Sequence, residues 1–278
     1  MTDRTNPPAP LPISATVICK NEEACIGKCL ASLDGLSEVI VVDSGSTDGT
    51  LAIVRERAGA GQPIRLIEQP WLGYARQKQF ALDQAKEDWI LSIDADEWLD
   101  NDLRAQLPGL LAADPAVAGW ELRRTLTLYG SLAPVSLWTR PELILRLVRR
   151  GRARFDPDLI IHEGLIPEGE TRIVERGLLR HERGMPLDQQ MGKEIAYAKL
   201  KAEQRLERGM KPSWPKLLLN PPIYFLRIFI WNRFFLCGWA GFIHAMTGAI
   251  YSFMTEAMHR QFYYARKAAA QTGKGAAR

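Results

Sequence analysis

The sequence predicts an α/β protein built on a doubly wound, mostly parallel sheet, and three observations lead there. Between Ile13 and Asp100, apolar runs of strand length alternate four times with stretches of helical periodicity. Each run ends in small or acidic residues, as strands do where they feed the ligand-binding edge of an open sheet. The fourth run, Trp89–Ile93, has Ser92 as its only polar residue and suits a strand buried on both faces.

Taken in order, Ile13–Cys19 is the first strand and ends at Lys20-Asn21-Glu22-Glu23. Asn21 is expected to cap the following helix, with two glutamates in its first turn favoured by the helix dipole. Ile26, Leu30 and Leu33 give that helix one apolar face before the turn at Asp34-Gly35. Glu38–Val42 is the second strand and runs into Asp43-Ser44-Gly45-Ser46-Thr47-Asp48-Gly49-Thr50, a tight loop whose Thr47 or Asp48 starts a helix over Leu51–Arg57. Ile64–Ile67 is a third strand and Gly73–Lys86 a third helix. The fourth strand then passes, without a turn residue, into Asp94, Asp96 and Glu97. On an extended chain side chains two apart point the same way, so Asp94 and Asp96 are expected to converge. Two carboxylates aimed at one point repel unless a hard divalent cation such as Mg²⁺ or Mn²⁺ lies between them. A solvated acidic turn is the alternative. The clusters 20–23, 43–48 and 94–97 all follow strand ends and so share one edge, the expected site.

Beyond the acidic cluster, Trp120–Tyr129, Leu143–Val148 and Phe155–Ile161 read as further strands that extend the sheet. Met185–Arg208 reads as a long amphipathic helix with Lys193, Lys199, Lys201 and Arg205 on its polar side. Phe234–Thr255 then runs 22 residues without a formal charge, long enough to cross a bilayer. Gly238, Gly241, His244, Thr247, Gly248 and Ser252 weaken a spanning reading. Surface insertion, spanning, and packing on the soluble part stay open, with surface or re-entrant anchoring preferred and Trp214, Trp231 and Trp239 near the headgroups. Lys211, Lys216, Arg227 and Arg233 would then meet anionic lipid. The expected organisation is a leader at 1–11, a catalytic domain at 12–184 divided near residue 100, and a helical, basic-tailed C-terminal region at 185–278.

Charge supports that division. The net charge is +4, yet residues 201–278 hold 12 Lys/Arg against 3 Asp/Glu, leaving −5 for the first 200 residues. An acidic body with a basic tail implies an anionic surface as partner. Its basic residues are interleaved with long apolar runs, which favours lipid and argues against nucleic acid. The N-terminus lacks the apolar core of a signal peptide. Cys19, Cys25, Cys29 and Cys237 have no nearby histidine and read as reduced thiols. No G-x-G-x-x-G follows the first strand and no phosphate-loop motif is present, which argues against a dehydrogenase or a phosphate-loop kinase.

The segments V-I-C-K-N-E-E, V-I-V-V-D-S-G-S-T-D-G-T, G-Y-A-R-Q-K-Q-F-A-L and W-I-L-S-I-D-A-D-E, in this order, resemble inverting glycosyltransferases of family 2 with the nucleotide-diphospho-sugar transferase (GT-A) fold. More narrowly, the chain is similar to lipopolysaccharide inner-core β-glucosyltransferases. The resemblance implies that Asp43 binds the base of a donor nucleotide, usually uracil, with Lys20, Asn21 and Glu22 lining the same pocket. It implies that Arg76 and Lys78 approach the donor's phosphates and sugar, although relatives often have Asn near Lys78. It identifies Asp94 and Asp96 as the D-x-D pair, Asp96 the direct ligand of Mg²⁺ or Mn²⁺, and His181 as a candidate third ligand. The acceptor it implies is a lipid-linked glycan at the cytoplasmic face of the inner membrane. Polyprenyl phosphate or another envelope glycan, and a tethered nucleotide-sugar-binding protein without turnover, remain alternatives. Inverting displacement needs a separate base for the acceptor hydroxyl. Glu163, directly after Ile160-Ile161-His162, is the first candidate, with Asp156 and Asp158 behind it. Tyr129–Arg140, which contains Trp138, is expected to form an acceptor loop.

Overall fold

The computed structural model describes residues 9–112, 115–128, 133–134, 139–140, 142–157, 164–183 and 186–275. The chain divides into two compact units, one of Met1–Leu126 with Pro141–Glu182, the other of Thr127–Arg140 with Arg183–Arg278. Most of the expected leader lies outside the described residues, and Leu11 is already the first residue of β1.

The first unit opens with β1 (Leu11–Cys19), α1 (Ile26–Ser32), β2 (Leu36–Asp43), α2 (Thr50–Gly59), β3 (Ile64–Glu68), α3 (Tyr74–Asp83) and β4 (Trp89–Asp94). These strands pair in parallel in the order β3-β2-β1-β4, with Cys19 opposite Asp43 and Ile18 opposite Asp94. The register therefore brings the ends of β1, β2 and β4 level. Strand alternation explains the two-sided core. Ile13, Ala15 and Val17 of β1 pack with α1 on one face, while Ile40 and Val42 of β2 pack with α3 on the other. Ser14, in the interior of β1, is paid for by hydrogen bonds: its Oγ donates to Glu38 Oε2 at 2.6 Å and accepts from the Glu87 N–H at 3.0 Å.

The sheet continues through β5 (Glu97–Leu99), β6 (Val117–Leu128), β8 (Glu142–Arg149) and β12 (Leu179–Arg183), in the order β4-β8-β6-β12-β5. A short β7 (Ala133–Pro134) pairs with the end of β6 and β11 (Glu170–Ile173) with its start, while β9 (Ala153–Phe155) and β10 (Leu165–Pro167) form a separate hairpin. Antiparallel pairing of β4 with β8 and of β8 with β6 turns the parallel half into a mixed sheet. Gly119 allows the close approach of β6 to β8, since a Cβ there would lie 2.9 Å from the Leu147 carbonyl oxygen. Between β5 and β6, α4 (Asn101–Leu111) has no counterpart among the sequence expectations, though Asp100 caps it by accepting the Leu103 N–H at 2.9 Å.

Three local expectations are corrected. Asn21 does not cap α1, which begins at Ile26 without a side-chain cap; Asn21 instead takes φ +56° in the preceding loop. Neither Thr47 nor Asp48 is the cap of α2, whose N-cap is Gly49, although Asp48 accepts the Thr50 N–H at 3.0 Å. The chain is not extended through Asp94–Glu97: Ala95 and Asp96 form a turn between β4 and β5.

The second unit is helical, with α5 (Leu187–Glu207), α6 (Trp214–Leu226), a π-helical turn (Arg227–Trp231), a 3₁₀ turn (Phe234–Cys237) and α7 (Gly238–Gly275). Pro221 and Pro222 remove two backbone donors within α6, just before the irregular turns. Gly248 lets α7 pack closely on α6 and the π-helical turn, since a Cβ there would sit 2.8 Å from side-chain atoms of Tyr224 and Ile228. One face of α7 is buried and polar. Glu256 is paired with Arg205 Nη1 at 2.9 Å and with Asn220 Nδ2 at 3.0 Å, and His259 Nε2 contacts the Met210 carbonyl oxygen at 3.0 Å.

Candidate active site

Two loops at the carboxyl edge are stapled together. Asn21 accepts the Thr47 N–H at 2.8 Å, and its own N–H donates to Ser46 Oγ at 2.9 Å. The Glu22 N–H donates to Thr50 Oγ1 at 2.8 Å, and Glu23 Oε2 accepts the Gly49 N–H at 2.7 Å. An asparagine tolerates left-handed backbone better than most residues, so Asn21 fits the positive φ this arrangement requires. Asp43, buried at the end of β2, accepts the N–H groups of Gly45 and Ser46 at 2.8 and 2.9 Å through Oδ2, and the Ser46 hydroxyl and Cys19 thiol through Oδ1. Its carboxylate thus shapes the loop beyond it.

The first turn of α3 joins this loop to the acidic turn. Gln77, fully buried, donates to Ser44 Oγ at 3.0 Å, and the next residue, Lys78, pairs with Asp94 Oδ1 at 2.7 Å. Arg146 of β8 reaches Asp94 Oδ2 at 2.7 Å and Glu97 Oε1 at 2.8 Å with one nitrogen. Glu97 is fully buried, also accepts the Asp94 N–H at 3.1 Å, and meets Arg124 Nη1 of β6 at 3.0 Å. Burial pushes the Asp94 carboxyl up, but Arg146 and then Lys78 outweigh it and hold the group well below the usual carboxylate range. Arg146 is correspondingly raised above its ordinary value by Asp94 and Glu97 against the effect of its own burial.

Asp96 stands apart from this cluster. Its Oδ2 lies 2.9 Å from Nε2 of His181 on β12, the strand that pairs with β5 so that His181 is opposite Glu97. The two D-x-D carboxylates therefore have different partners, because the turn at Ala95–Asp96 separates them. Among the described residues no three His, Cys, Asp or Glu side chains are grouped to hold a metal. The Asp96–His181 pair nevertheless fits as two ligands of one divalent cation: bonds of about 2.1 Å at right angles place neighbouring ligand atoms about 3 Å apart. Among the described residues the buried Nδ1 of His181 has no hydrogen-bond partner, so it is Nε2 that pairs with Asp96.

Lys20 is exposed just after β1, and Arg76 is exposed in the first turn of α3. Glu163, His162, Asp158 and Trp138, with most of the expected acceptor loop, lie outside the described residues. Sequence reasoning missed Arg146, Arg124 and Gln77. Arg146 alone left a signal, as a charge within the otherwise apolar run Leu143–Val148.

An open sheet with stapled polar loops at its carboxyl edge and a charged turn beyond the strand beside β1 is the arrangement in which α/β proteins bind ligands at that edge. The profile of Glycosyl transferase family 2 matches residues 14–134. The chain is 49% identical over 248 residues to the lipopolysaccharide core biosynthesis glycosyltransferase LpsC of Rhizobium meliloti (strain 1021), covering 89% of this chain and 91% of that one. It is 29% identical over 259 residues to the uncharacterized glycosyltransferase RT0209 of Rickettsia typhi, covering 90% and 87% of the two chains. Among solved structures, the mannosyltransferase PcManGT from Pyrobaculum calidifontis, in complex with GDP-Man and Mn²⁺, aligns at 20% identity and a TM-score of 0.49 over 97% of this chain and 82% of that one. The chain belongs to glycosyl transferase family 2, and its fold is of the GT-A type.

Proposed function

We propose that this glycosyltransferase moves a sugar, glucose in the first instance, from a nucleoside-diphosphate donor to a lipid-linked acceptor in the lipopolysaccharide inner core. The observation that carries the proposal is the 49% identity to LpsC along nearly the whole of both chains. The carboxyl edge supports the donor reading. Lys20, Asn21, Glu22 and Asp43 would surround the nucleoside end and the exposed Arg76 would bring positive charge toward the diphosphate, with Lys78 beside it held by Asp94. Asp96 and His181 would hold Mg²⁺ or Mn²⁺, while Asp94, locked to Lys78 and Arg146, fixes the turn beside them. A divalent cation, when bound, supplies charge that stabilises the leaving diphosphate.

In the inverting reaction the acceptor oxygen bonds to the anomeric carbon, the bond to the diphosphate breaks, and the acceptor's proton passes to a base. Glu163 is proposed as that base. The second unit supports attachment at the cytoplasmic face of the inner membrane. Between Arg208 and Thr255 there are five Lys/Arg and no Asp/Glu, and Trp214, Trp231 and Trp239 are each more than half exposed. Such a surface suits an anionic bilayer.

The test is turnover by purified protein with UDP-, ADP- and GDP-sugars and lipopolysaccharide truncated in its core. It is run with Mg²⁺ or Mn²⁺ and with EDTA, beside Asp96→Ala and Glu163→Gln. Metal-dependent transfer from one donor, lost in both variants, is expected. Donor binding without transfer or hydrolysis under any condition overturns the catalytic reading and leaves a tethered nucleotide-sugar-binding protein.

A further inference from the structure

The strand order supplies a ruler along the carboxyl edge. The acidic turn follows β4, Asp43 ends β2, and the loop 69–73 follows β3, so the order β4-β1-β2-β3 spans three strand spacings, roughly 14 Å. With the diphosphate at the acidic turn and the nucleoside end at Lys20–Glu22 and Asp43, as the proposed function has both, the donor runs from β4 toward β2 and β3.

At that far end the loop after β3 presents apolar surface to solvent: Trp71 is 45% exposed, Leu72 42% and Tyr74 38%. The Trp71 and Tyr74 rings meet edge to face with centroids 4.7 Å apart, a favourable geometry for an aromatic pair. The loop that carries them is tied to the site. The Gln69 N–H donates to the Asp43 carbonyl oxygen at 2.9 Å. Gln77 uses its buried amide to accept the Leu72 N–H at 3.2 Å and to donate to the Gln69 carbonyl oxygen at 3.3 Å as well as to Ser44 Oγ. Gly73, at φ +92°, makes the bend into α3. Asp43, meanwhile, has both carboxylate oxygens occupied by its own loop and by Cys19. Beside the polar groups of the first two loops, an aromatic face would add to base recognition without needing a free carboxylate.

The geometry points to Trp71, braced by Tyr74, as the platform on which the donor's nucleobase stacks. Stacking uses the π-face that every base has, and alanine substitution at such sites weakens binding by one to two orders of magnitude. A platform held rigid before binding loses little freedom on binding.

Calorimetry in Mg²⁺ tests this with wild type, Trp71→Phe and Trp71→Ala, using whichever of UDP, ADP and GDP wild type binds most tightly, and inorganic pyrophosphate as the baseless control. Trp71→Ala should weaken the nucleotide about tenfold or more, Trp71→Phe by less than about threefold since it keeps a ring, and pyrophosphate should bind all three alike. Equal nucleotide affinity in Trp71→Ala and wild type overturns the inference while leaving the donor reading intact. So does an equal loss of pyrophosphate, which would make Trp71 a prop for the phosphate end, and so does a loss confined to flotation with anionic vesicles, which would make it a lipid contact. Failure of wild type to bind any of the three nucleotides removes the donor reading and this inference with it.

Discussion

At the scale of single residues, the site rests on charges that neutralise one another inside the protein. Arg146 serves two carboxylates, Asp94 and Glu97, and Glu97 has no exposure to water. Removing one partner of a buried pair leaves the other charge without compensation, which costs about 3–5 kcal/mol. Arg146→Met should therefore lower stability by about 3 kcal/mol in urea unfolding, and Arg146→Lys should recover part of that loss. The same pairing sets a pH dependence. The Asp94 carboxyl titrates lower in the folded protein than in the unfolded chain, whose value is about 3.9. Its contribution to stability is thus fully present above about pH 4 and is lost as pH falls toward the folded value. In Arg146→Met the carboxyl loses the strongest influence that lowers it, so its folded and unfolded values draw together, and stability should fall less steeply below about pH 4 than in wild type. Urea midpoints measured from pH 7 to pH 3 check this, and superimposable acid limbs in the two proteins would exclude it.

At the scale of elements, the parallel half was legible because its signals are local. Apolar runs of β1 to β4 and the polar residues at their ends follow from chain-neighbour patterning alone, and the parallel register then sets Asp43 and Asp94 on one edge. Other features depend on contacts remote in sequence. Asn21 resembles a helix cap until the loop carrying Thr47 packs against it, and the partner of Asp96 is His181, 85 residues away. The buried charges of β6 and β8 carry no local mark that pairs them with Asp94 and Glu97. The helix α4 is the opposite case, since Asp100 before Asn101-Asp102-Leu103 is a legible start signal. That cap gives a prediction: Asp100→Ala should cost about 1 kcal/mol without altering donor affinity. Gly177→Ala should cost more, because Gly177 has φ +79° and a Cβ there would run into the backbone of Leu103 at the first turn of the same helix. A smaller shift in thermal midpoint for Gly177→Ala than for Asp100→Ala would contradict that packing.

At the scale of the whole molecule, the proposed membrane attachment has two forms, crossing the bilayer or entering one leaflet. Among the described residues one helical stretch, Phe234–Ala269, is long and apolar enough to cross a membrane. Its packing within the second unit argues against crossing. The helix α5 lies along α7 and carries Lys193, Lys199, Lys201 and Arg205. Arg205 is paired with Glu256 on α7, and the Lys201 ammonium lies 5.4 Å from the centre of the Tyr251 ring. A spanning α7 would have to shed α5 or draw these charges into hydrocarbon, which is costly for each. The outer surface of α6, the two irregular turns and the start of α7 is different: Leu218, Ile223, Ile230, Trp231 and Trp239 are each more than half exposed, with Lys216, Arg227 and Arg233 among them. Insertion of that surface into one leaflet satisfies the apolar side chains and leaves the Glu256 network out of the lipid. Flotation should accordingly be strong with vesicles containing phosphatidylglycerol and weak with neutral ones. Each of Lys216→Gln, Arg227→Gln and Arg233→Gln should weaken it by about fivefold, as expected for roughly 1 kcal/mol per basic residue. In cells, fluorescent reporters at the two termini should both fold in the cytoplasm. A C-terminal alkaline phosphatase fusion that is active, as only a periplasmic one is, would instead mean that α7 crosses the bilayer and that its packing with α5 comes apart on insertion.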